Sequence, residues 1–333
     1  MSLGEFEVIE RYFAAHSARG DVLLGIGDDG AVLECPDGKR LVIAMDTIVE
    51  GVHFLADADP FDIGYRALAV NLSDIAAMGA VPSWMTLSLS LQSSDEHWLK
   101  RFSEGLFALA REHEVALVGG DTVKGPLVIT VQIAGWVEPD RWLTRAGARP
   151  GDLLFVSGVP GEAAAGLSVI QRQIKSEGEF RTPADHLRER FLRPTPRVAL
   201  GRELRTLASA AMDVSDGLLT DLDKLCAASG CGARVDIDRL PASDSMQQLF
   251  GRQQCVDYAL SGGDDYELLF TVPPQQAQAI DQLSIACTRI GVITSGDRAE
   301  CFAAGQPISV VKRGYDHFQS GAGSIGSGVP SRD

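Results

Sequence analysis

Apolar runs of strand length alternate with longer stretches of helical period along the chain, and this alternation excludes both a helical bundle and an all-β sandwich. Val22 to Gly27 and Ala31 to Leu33 read as strands, and the turn Cys35-Pro-Asp-Gly-Lys39 leads into a further strand, Arg40 to Met45, in a hairpin-like stretch. Asp59-Pro60 opens a helix whose apolar stripe is Ile63, Ala67, Leu68, Leu72, Ile75 and Ala76. That spacing puts Asn71 and Asp74 on one face. Trp84 to Leu91 reads as strand, and Ser93-x-x-Glu96 as a capping box for a helix reaching about Glu112. Strands Ala116 to Val118 and Leu127 to Val137 flank a glycine-rich loop, Gly119-Gly-Asp-Thr-Val-Lys-Gly125.

In the second half, Leu153 to Ser157 reads as strand, followed by helices over about 162–175 and 198–208. Strand Ala210 to Val214 runs into Ser215-Asp-Gly217 and a helix that buries Leu218, Leu219, Leu222 and Leu225. Residues 258–272 read as strand, loop and strand around Ser261-Gly-Gly-Asp-Asp-Tyr-Glu267. A length of 333 residues suits two domains. The polar, proline-bearing stretch 138–152 is the expected linker, between an N-terminal domain at 1–137 and a C-terminal domain at 153–318, with a flexible Gly/Ser tail at 319–333.

Forty-five acidic against 30 basic side chains leave a formal charge of −15, which argues against nucleic acid or an anionic membrane as partner. No apolar run approaches the roughly 18 residues of a spanning helix, and the N-terminus is an acidic amphipathic helix rather than a signal peptide. The six cysteines form no Cys-x-x-Cys pair and are expected to be reduced packing residues, so a cytoplasmic protein is expected.

The aspartates are scattered, and many sit beside glycine at the ends of apolar runs. Gly25-Ile-Gly-Asp-Asp-Gly30 matches the dinucleotide fingerprint, but a hairpin rather than a helix is expected after it, and its two acids would repel a pyrophosphate. The informative set is Asp28, Asp29, Asp46, Asp74, Asp121, Asp213, Asp216, Asp264, Asp265 and Glu267. Turn chemistry explains any one of them, but not Asp74 in mid-helix, nor the doubled acids. Clustered carboxylates stay ionised only around a cation. Carboxylate donors suit Mg²⁺, Mn²⁺ or Ca²⁺, and so many acids suggest several ions on a polyphosphate. Ser215-Asp-Gly217 opens a helix whose N–H groups could attract an anion; Lys124 and Arg145 are cationic candidates, and His53 could ligate metal, act as acid or base, or contact substrate.

Six motifs together strongly resemble the thiamine-monophosphate kinase family: Gly25-Ile-Gly-Asp-Asp-Gly-Ala31, Met45-Asp-Thr-Ile-Val-Glu-Gly-Val-His-Phe54, Asn71-Leu-Ser-Asp-Ile-Ala-Ala-Met-Gly-Ala80, Gly119-Gly-Asp-Thr122, Met212-Asp-Val-Ser-Asp-Gly-Leu218 and Ser261-Gly-Gly-Asp-Asp-Tyr-Glu-Leu268. The resemblance implies the two-domain α/β (α+β) fold of the phosphoribosylaminoimidazole synthetase-like ATP enzymes, with the N-terminal domain pairing in a homodimer. It implies ATP-dependent phosphorylation of thiamine monophosphate to thiamine diphosphate, by direct in-line transfer assisted by several Mg²⁺ ions. By the same resemblance Asp29, Asp46, Asp74, Asp121, Asp213 and Asp216 are metal ligands. Gly120, Asp121, Arg145 and Ser215 contact ATP, and His53, Asp264 and Tyr315 contact thiamine monophosphate. Four positions depart from the family: Ala44 and Met45 stand where hydroxyl residues are frequent, Asp264 where glutamate is common, and Tyr315 where tryptophan is common. The alternatives are another enzyme of the same superfamily, such as one resembling aminoimidazole ribonucleotide synthetase, or a non-catalytic Mg-nucleotide sensor.

Overall fold

The computed structural model describes residues 3–14, 19–174, 182–310 and 314–315. The tail at 319–333 and residues 316–318 lie outside them. The chain divides into two compact units, Met1–Ile75 with Val81–Pro139, and Ala76–Ala80 with Asp140–Phe318.

The first unit contains helix α1 (Glu5–Tyr12), strands β1 (Val22–Leu24), β2 (Val32–Leu33) and β3 (Arg40–Val49), helix α2 (Pro60–Ala77), strand β4 (Val81–Leu91), helix α3 (Glu96–Glu112), and strands β5 (Ala116–Lys124) and β6 (Val128–Val137). The hairpin joins β1 to β2 across the Gly25–Gly30 loop, while β3 pairs with β6 instead. No helix follows Gly30, so the dinucleotide motif is indeed a decoy. The main sheet has the order β3-β6-β4-β5. One of its faces carries Leu87, Leu89, Ile129, Val131 and Ile133, all buried, and the stripes of α2 and α3 (Leu68, Leu72, Leu99, Phe102, Leu106) are buried with them. The α3 cap is Asp95, whose carboxylate accepts the Trp98 N–H, rather than Ser93, because Asp95 sits directly before the first helical turn.

The expected glycine-rich loop at 119–125 is strand up to Lys124. A Cβ on Gly120 would lie 1.9 Å from the Leu87 carbonyl oxygen, so glycine is what lets β5 press against β4 past the register shift at Met85/Thr86. Glycine here signals close approach, not a turn.

The second unit contains β7 (Leu153–Ser157), α4 (Glu162–Gln171), α5 (Pro183–Leu192), α6 (Val198–Leu204), β8 (Ala210–Val214), α7 (Leu218–Ser229), β9 (Gly232–Asp236), α8 (Asp244–Leu249), α9 (Arg252–Ser261), β10 (Glu267–Val272), α10 (Ala277–Ile280), β11 (Cys287–Thr294), β12 (Ala299–Ala303) and β13 (Gln306–Ile308). Its sheet has the order β13-β12-β9-β11-β7-β10-β8, antiparallel except for the β12/β9 pair. The core packs Leu218, Leu219, Leu222 and Leu225 of α7 against Met212, Val214 and Leu269 of the sheet. The expected strand at 258 is the end of α9, where Cys255, Val256, Ala259 and Leu260 are buried with helical spacing. Segment 140–152 is held inside this unit: Leu143 N–H donates to the Met78 carbonyl (3.0 Å) and Ala211 N–H to the Thr144 carbonyl (2.9 Å).

Candidate functional site

In the first unit the candidate acids lie on strands, loops and one helix around a single sheet. Asp46 is in β3, and its backbone N–H donates to Asn71 Oδ1 at 3.0 Å. Asn71 is wholly buried in α2, and its Nδ2 is spent on the Ala67 carbonyl at 3.0 Å, so the side chain is locked as a brace between helix and strand. Asp74 lies one turn further along α2, on the face the sequence pattern predicts. Asp29 is exposed in the β1–β2 loop, its N–H bonded to Asp28 Oδ1 at 2.8 Å.

Strand register decides which of these acids can share an ion. Asp46 is opposite Val131, Val131 opposite Leu87, and Leu87 opposite Gly120. Side chains directly opposite one another share a sheet face, and Val131 and Leu87 are buried, so Asp46 projects on the helix-covered face. Asp121 is opposite Ser88, Ser88 opposite Thr130, and Thr130 opposite Thr47, a row on the other, open face. Asp46 and Asp121 also lie on the two edge strands, about 14 Å apart by three strand spacings. One copy of the chain therefore does not bring these two carboxylates together.

The open face is apolar beyond what a solvated sheet requires. Leu41, Ile43 and Met45 are 53%, 55% and 63% exposed and follow one another along β3 at every second position. Beside them is a cavity of about 250 Å³ lined by Leu33, Leu41, Ile43, Trp84, Met85 and Val118 among others.

His53 stands in the turn after β3, where its Nδ1 accepts the Val49 N–H at 3.1 Å. A ring that accepts at Nδ1 carries its proton at Nε2 when neutral.

In the second unit the sheet edge and the loops beside it gather a compact set. Asp213 is buried near the end of β8, opposite Leu268 of β10. The Ser215–Gly217 turn leads from β8 into α7. Contrary to the sequence expectation, the N–H groups of Ser215 and Asp216 are not open to an anion: both donate to Asp221 Oδ2, each at 3.0 Å. Asp221 is wholly buried, and burial pushes its carboxyl above the usual range against the opposing pull of Lys224.

The 262–266 loop docks on this turn. Asp264 N–H donates to the Ser215 carbonyl (2.8 Å) and Tyr266 N–H to the Val214 carbonyl (2.9 Å). Asp264 and Tyr266 both have left-handed backbones, φ 69° and 51°, a strained pairing that surrounding bonds must hold. The buried residue between them, Asp265, supplies one such hold: its carboxylate accepts the N–H groups of Gly161 (2.6 Å) and Ala163 (3.1 Å) at the start of α4. Burial raises the Asp265 carboxyl well above its ordinary range, while those two bonds act to lower it. The Tyr266 hydroxyl donates to Asp264 Oδ1 at 3.2 Å and so aims the candidate substrate contact. Tyr315 N–H donates to the Asp216 carbonyl at 2.9 Å, and a Cβ on Gly314 would sit 2.4 Å from that same oxygen, which explains the glycine. Ser215, Asp216, Asp264 and Tyr315 are thus brought together by main-chain bonds. Arg145 is exposed, with its carbonyl taken by Ser229 Oγ at 2.9 Å.

Among the described residues no three acidic, histidine or cysteine side chains converge into a ready-made metal cage. The sequence reading passed over Asp221 and Lys224, which look like an ordinary i, i+3 helix pair, and Tyr266, whose role needs the fold of its loop.

The family model for AIR synthase related proteins matches in both halves, the N-terminal domain over residues 27–137 and the C-terminal domain over 149–303. The chain is 50% identical over 324 residues to a thiamine-monophosphate kinase of Salmonella typhimurium, covering 96% of this chain and 99% of that one. The crystal structure of a thiamine-monophosphate kinase from Stenotrophomonas maltophilia superposes with a TM-score of 0.84 at 46% identity, over 92% of this chain and 99% of that one. The structure of AaThiL complexed with AMPPCP and TMP gives a TM-score of 0.76 at 33% identity, over 96% and 99%.

Proposed function

We infer the activity from the premise that the chain belongs to the AIR synthase related family and, within it, to the thiamine-monophosphate kinases. It transfers the γ-phosphoryl group of ATP to the phosphate of thiamine monophosphate, giving thiamine diphosphate and ADP, the last step of thiamine diphosphate biosynthesis. The observation that carries this reading is 50% identity, over 96% of the chain, with a kinase named for that substrate.

The acceptor is a phosphate monoester, whose second pKa of about 6 leaves it largely ionised at neutral pH, so no general base is needed. The obstacle is the approach of one anion to another. Bound Mg²⁺ ions would screen that repulsion and stabilise charge on the transferring group. Asp29, Asp46, Asp74, Asp121, Asp213 and Asp216 are the residues proposed to hold them. The donor set fits: all are hard carboxylate oxygens, and Mg²⁺ usually takes one or two from the protein and completes its shell with water and phosphate. Within one copy, their opposite faces keep Asp46 and Asp121 from sharing an ion, which is consistent with several ions per site.

Gly120, Asp121, Arg145 and Ser215 contact ATP in this proposal. Ser215 does so through its hydroxyl, since its N–H belongs to Asp221. His53 offers Nε2–H to the anionic end of thiamine monophosphate, Asp264 a carboxylate to its cationic ring, and Tyr315 an aromatic face. The enzyme is cytoplasmic, where ATP is supplied, and a homodimer in which a second copy covers the open face at Leu41, Ile43 and Met45. Ile43→Glu, placing a charge in that interface, should give a monomer by light scattering; an unchanged dimer would remove this face from consideration.

The decisive test is incubation with ATP, Mg²⁺ and thiamine monophosphate, with thiamine diphosphate sought by chromatography. Absence of that product refutes the reading. Asp46→Asn should lower kcat by about two orders of magnitude or more, since the charge lost acts on the transferring group; near-normal turnover would discard the metal role of Asp46.

A further inference from the structure

The Ser215–Gly217 turn brings a cation of its own. Lys224, on α7, places its ammonium 2.5 Å from Asp216 Oδ2 and 2.7 Å from Asp221 Oδ1. Asp221 has no solvent exposure, and its other oxygen is occupied by the N–H groups of Ser215 and Asp216. A carboxylate buried in this way holds its charge only beside a fixed positive group. Lys224 is that group for Asp221. The same ammonium reaches outward to Asp216, where both side chains are about a third exposed, 37% and 34%. An oxygen proposed to ligate a divalent cation therefore already has a positive partner.

We infer that Lys224 is a tethered stand-in for the divalent cation at Asp216: it holds that carboxylate in place while the metal is away, and Mg²⁺ takes Asp216 only by displacing it. The inference rests on the reading of Asp216 as a metal ligand. Three features support it. An ammonium is a compact charge with rotatable donors on a flexible stem, so it can release one acceptor and keep another. The contact it keeps is Asp221, buried and three residues away on the same helix. And the 215–216 backbone is fixed by Asp221, not by Asp216, so the turn keeps its shape when the Lys224–Asp216 bond opens. A carboxylate whose charge is already met by an ammonium attracts a second cation less strongly, so the lysine raises the Mg²⁺ concentration at which this ligand is engaged. In exchange, the acid-rich turn stays ordered without metal.

The test is a Mg²⁺ titration of the full chain at saturating AMPPCP and constant ionic strength, read by thermal shift and by calorimetry rather than by turnover. Lys224→Met and Lys224→Gln are compared with the unaltered chain; the glutamine keeps a donor toward Asp221 should the methionine variant fail to fold. The Mg²⁺ midpoint should fall by about fivefold or more, the lower end of ordinary coupling between two sites. Lys224→Met should also lower the melting temperature measured without Mg²⁺. An unchanged or raised midpoint in Lys224→Gln overturns the inference. Asp216→Asn separates the two levels. If it raises the Mg²⁺ midpoint while Lys224→Gln does nothing, the lysine's role alone falls; if it leaves the midpoint unchanged, Asp216 is not a ligand and the metal assignment falls with it.

Discussion

Glu267→Gln is the substitution whose cost follows most directly from the structure. Glu267 has no solvent exposure at the start of β10. Its carboxylate accepts the Ser157 hydroxyl (2.5 Å), Arg190 Nη2 (2.9 Å), and both Nε (2.7 Å) and Nη2 of Arg197. Glutamine has the same shape but no charge, and it turns one acceptor into a donor facing donors. Arg190 retains Glu162, which its Nε meets at 3.0 Å. Arg197 is then stranded: its side chain is only 15% exposed. Burial alone would lower the Arg197 pKa, and it is the hydrogen bonds and charge of Glu267 that raise it above its ordinary value. One uncompensated, nearly buried charge costs about 3–5 kcal/mol. At roughly 2–4 °C per kcal/mol for a unit of this size, the melting temperature should fall by about 6–20 °C, in calorimetry and in urea unfolding alike. The mechanism is tested by the double mutant. If the stranded guanidinium is the cost, adding Arg197→Met removes the liability, and the pair should couple by about 2 kcal/mol or more. Additivity within about 0.5 kcal/mol would refute the reasoning.

Tyr266→Phe deletes only the hydroxyl that aims Asp264. It should raise the KM for thiamine monophosphate about three- to tenfold, the effect of losing one hydrogen bond of ordinary strength, about 0.7–1.4 kcal/mol, with the KM for ATP and the melting temperature unchanged; an equal rise in both KM values would mean a general loosening. His113 caps the C-terminal end of α3, and burial lowers its pKa from 6.5 against the opposing charge of Glu112. A histidine depressed in the folded state takes up its proton more readily when unfolded, so stability is full above pH 6.5 and is lost as pH falls below it. His113→Gln should flatten that loss, which is at most about 1.4 kcal/mol per pH unit; an identical acid slope in the two proteins would clear His113 of the effect.

The candidate ligands were legible because their positions break local rules. Asp74 gains nothing from mid-helix geometry, and Asp46 and Asp213 end apolar runs where a chain built only for packing has no use for a charge. What a linear reading lacks is register and depth. That Asp46 and Asp121 face opposite ways depends on the pairing Asp46–Val131–Leu87, which no periodicity in either strand announces. The glycines at 119 and 120 look like a loop because glycine serves turns and close strand contacts alike, and only the Leu87 carbonyl tells them apart. Residues 258–261 look like strand because a four-residue apolar window has no period; the helix becomes visible when Cys255 and Val256 are counted with Ala259 and Leu260. Asp265 is indistinguishable from Asp264 in sequence, yet one is sealed against α4 and the other leans on a tyrosine.

A site with as many acids as the one proposed must tolerate them when no metal is bound, and the two units meet that demand by different means. In the first, distance suffices: the sheet holds Asp46 and Asp121 on opposite faces and edges, so neither needs a counter-ion to tolerate the other. In the second, the acids crowd, and the three most deeply buried have dedicated partners: Lys224 for Asp221, two arginines for Glu267, and two backbone N–H groups for Asp265. These differ in what they allow. Helix N–H groups and bidentate guanidinium pairs are fixed in direction, whereas an ammonium on a four-carbon stem can move. Asp216, proposed to meet the metal, shares with Asp221 an ammonium of the movable kind. The −15 charge of the chain therefore divides into acids that solvate the surface, acids neutralised inside the fold, and a few proposed to exchange a lysine for Mg²⁺, the class that the proposed site would use to hold two anions.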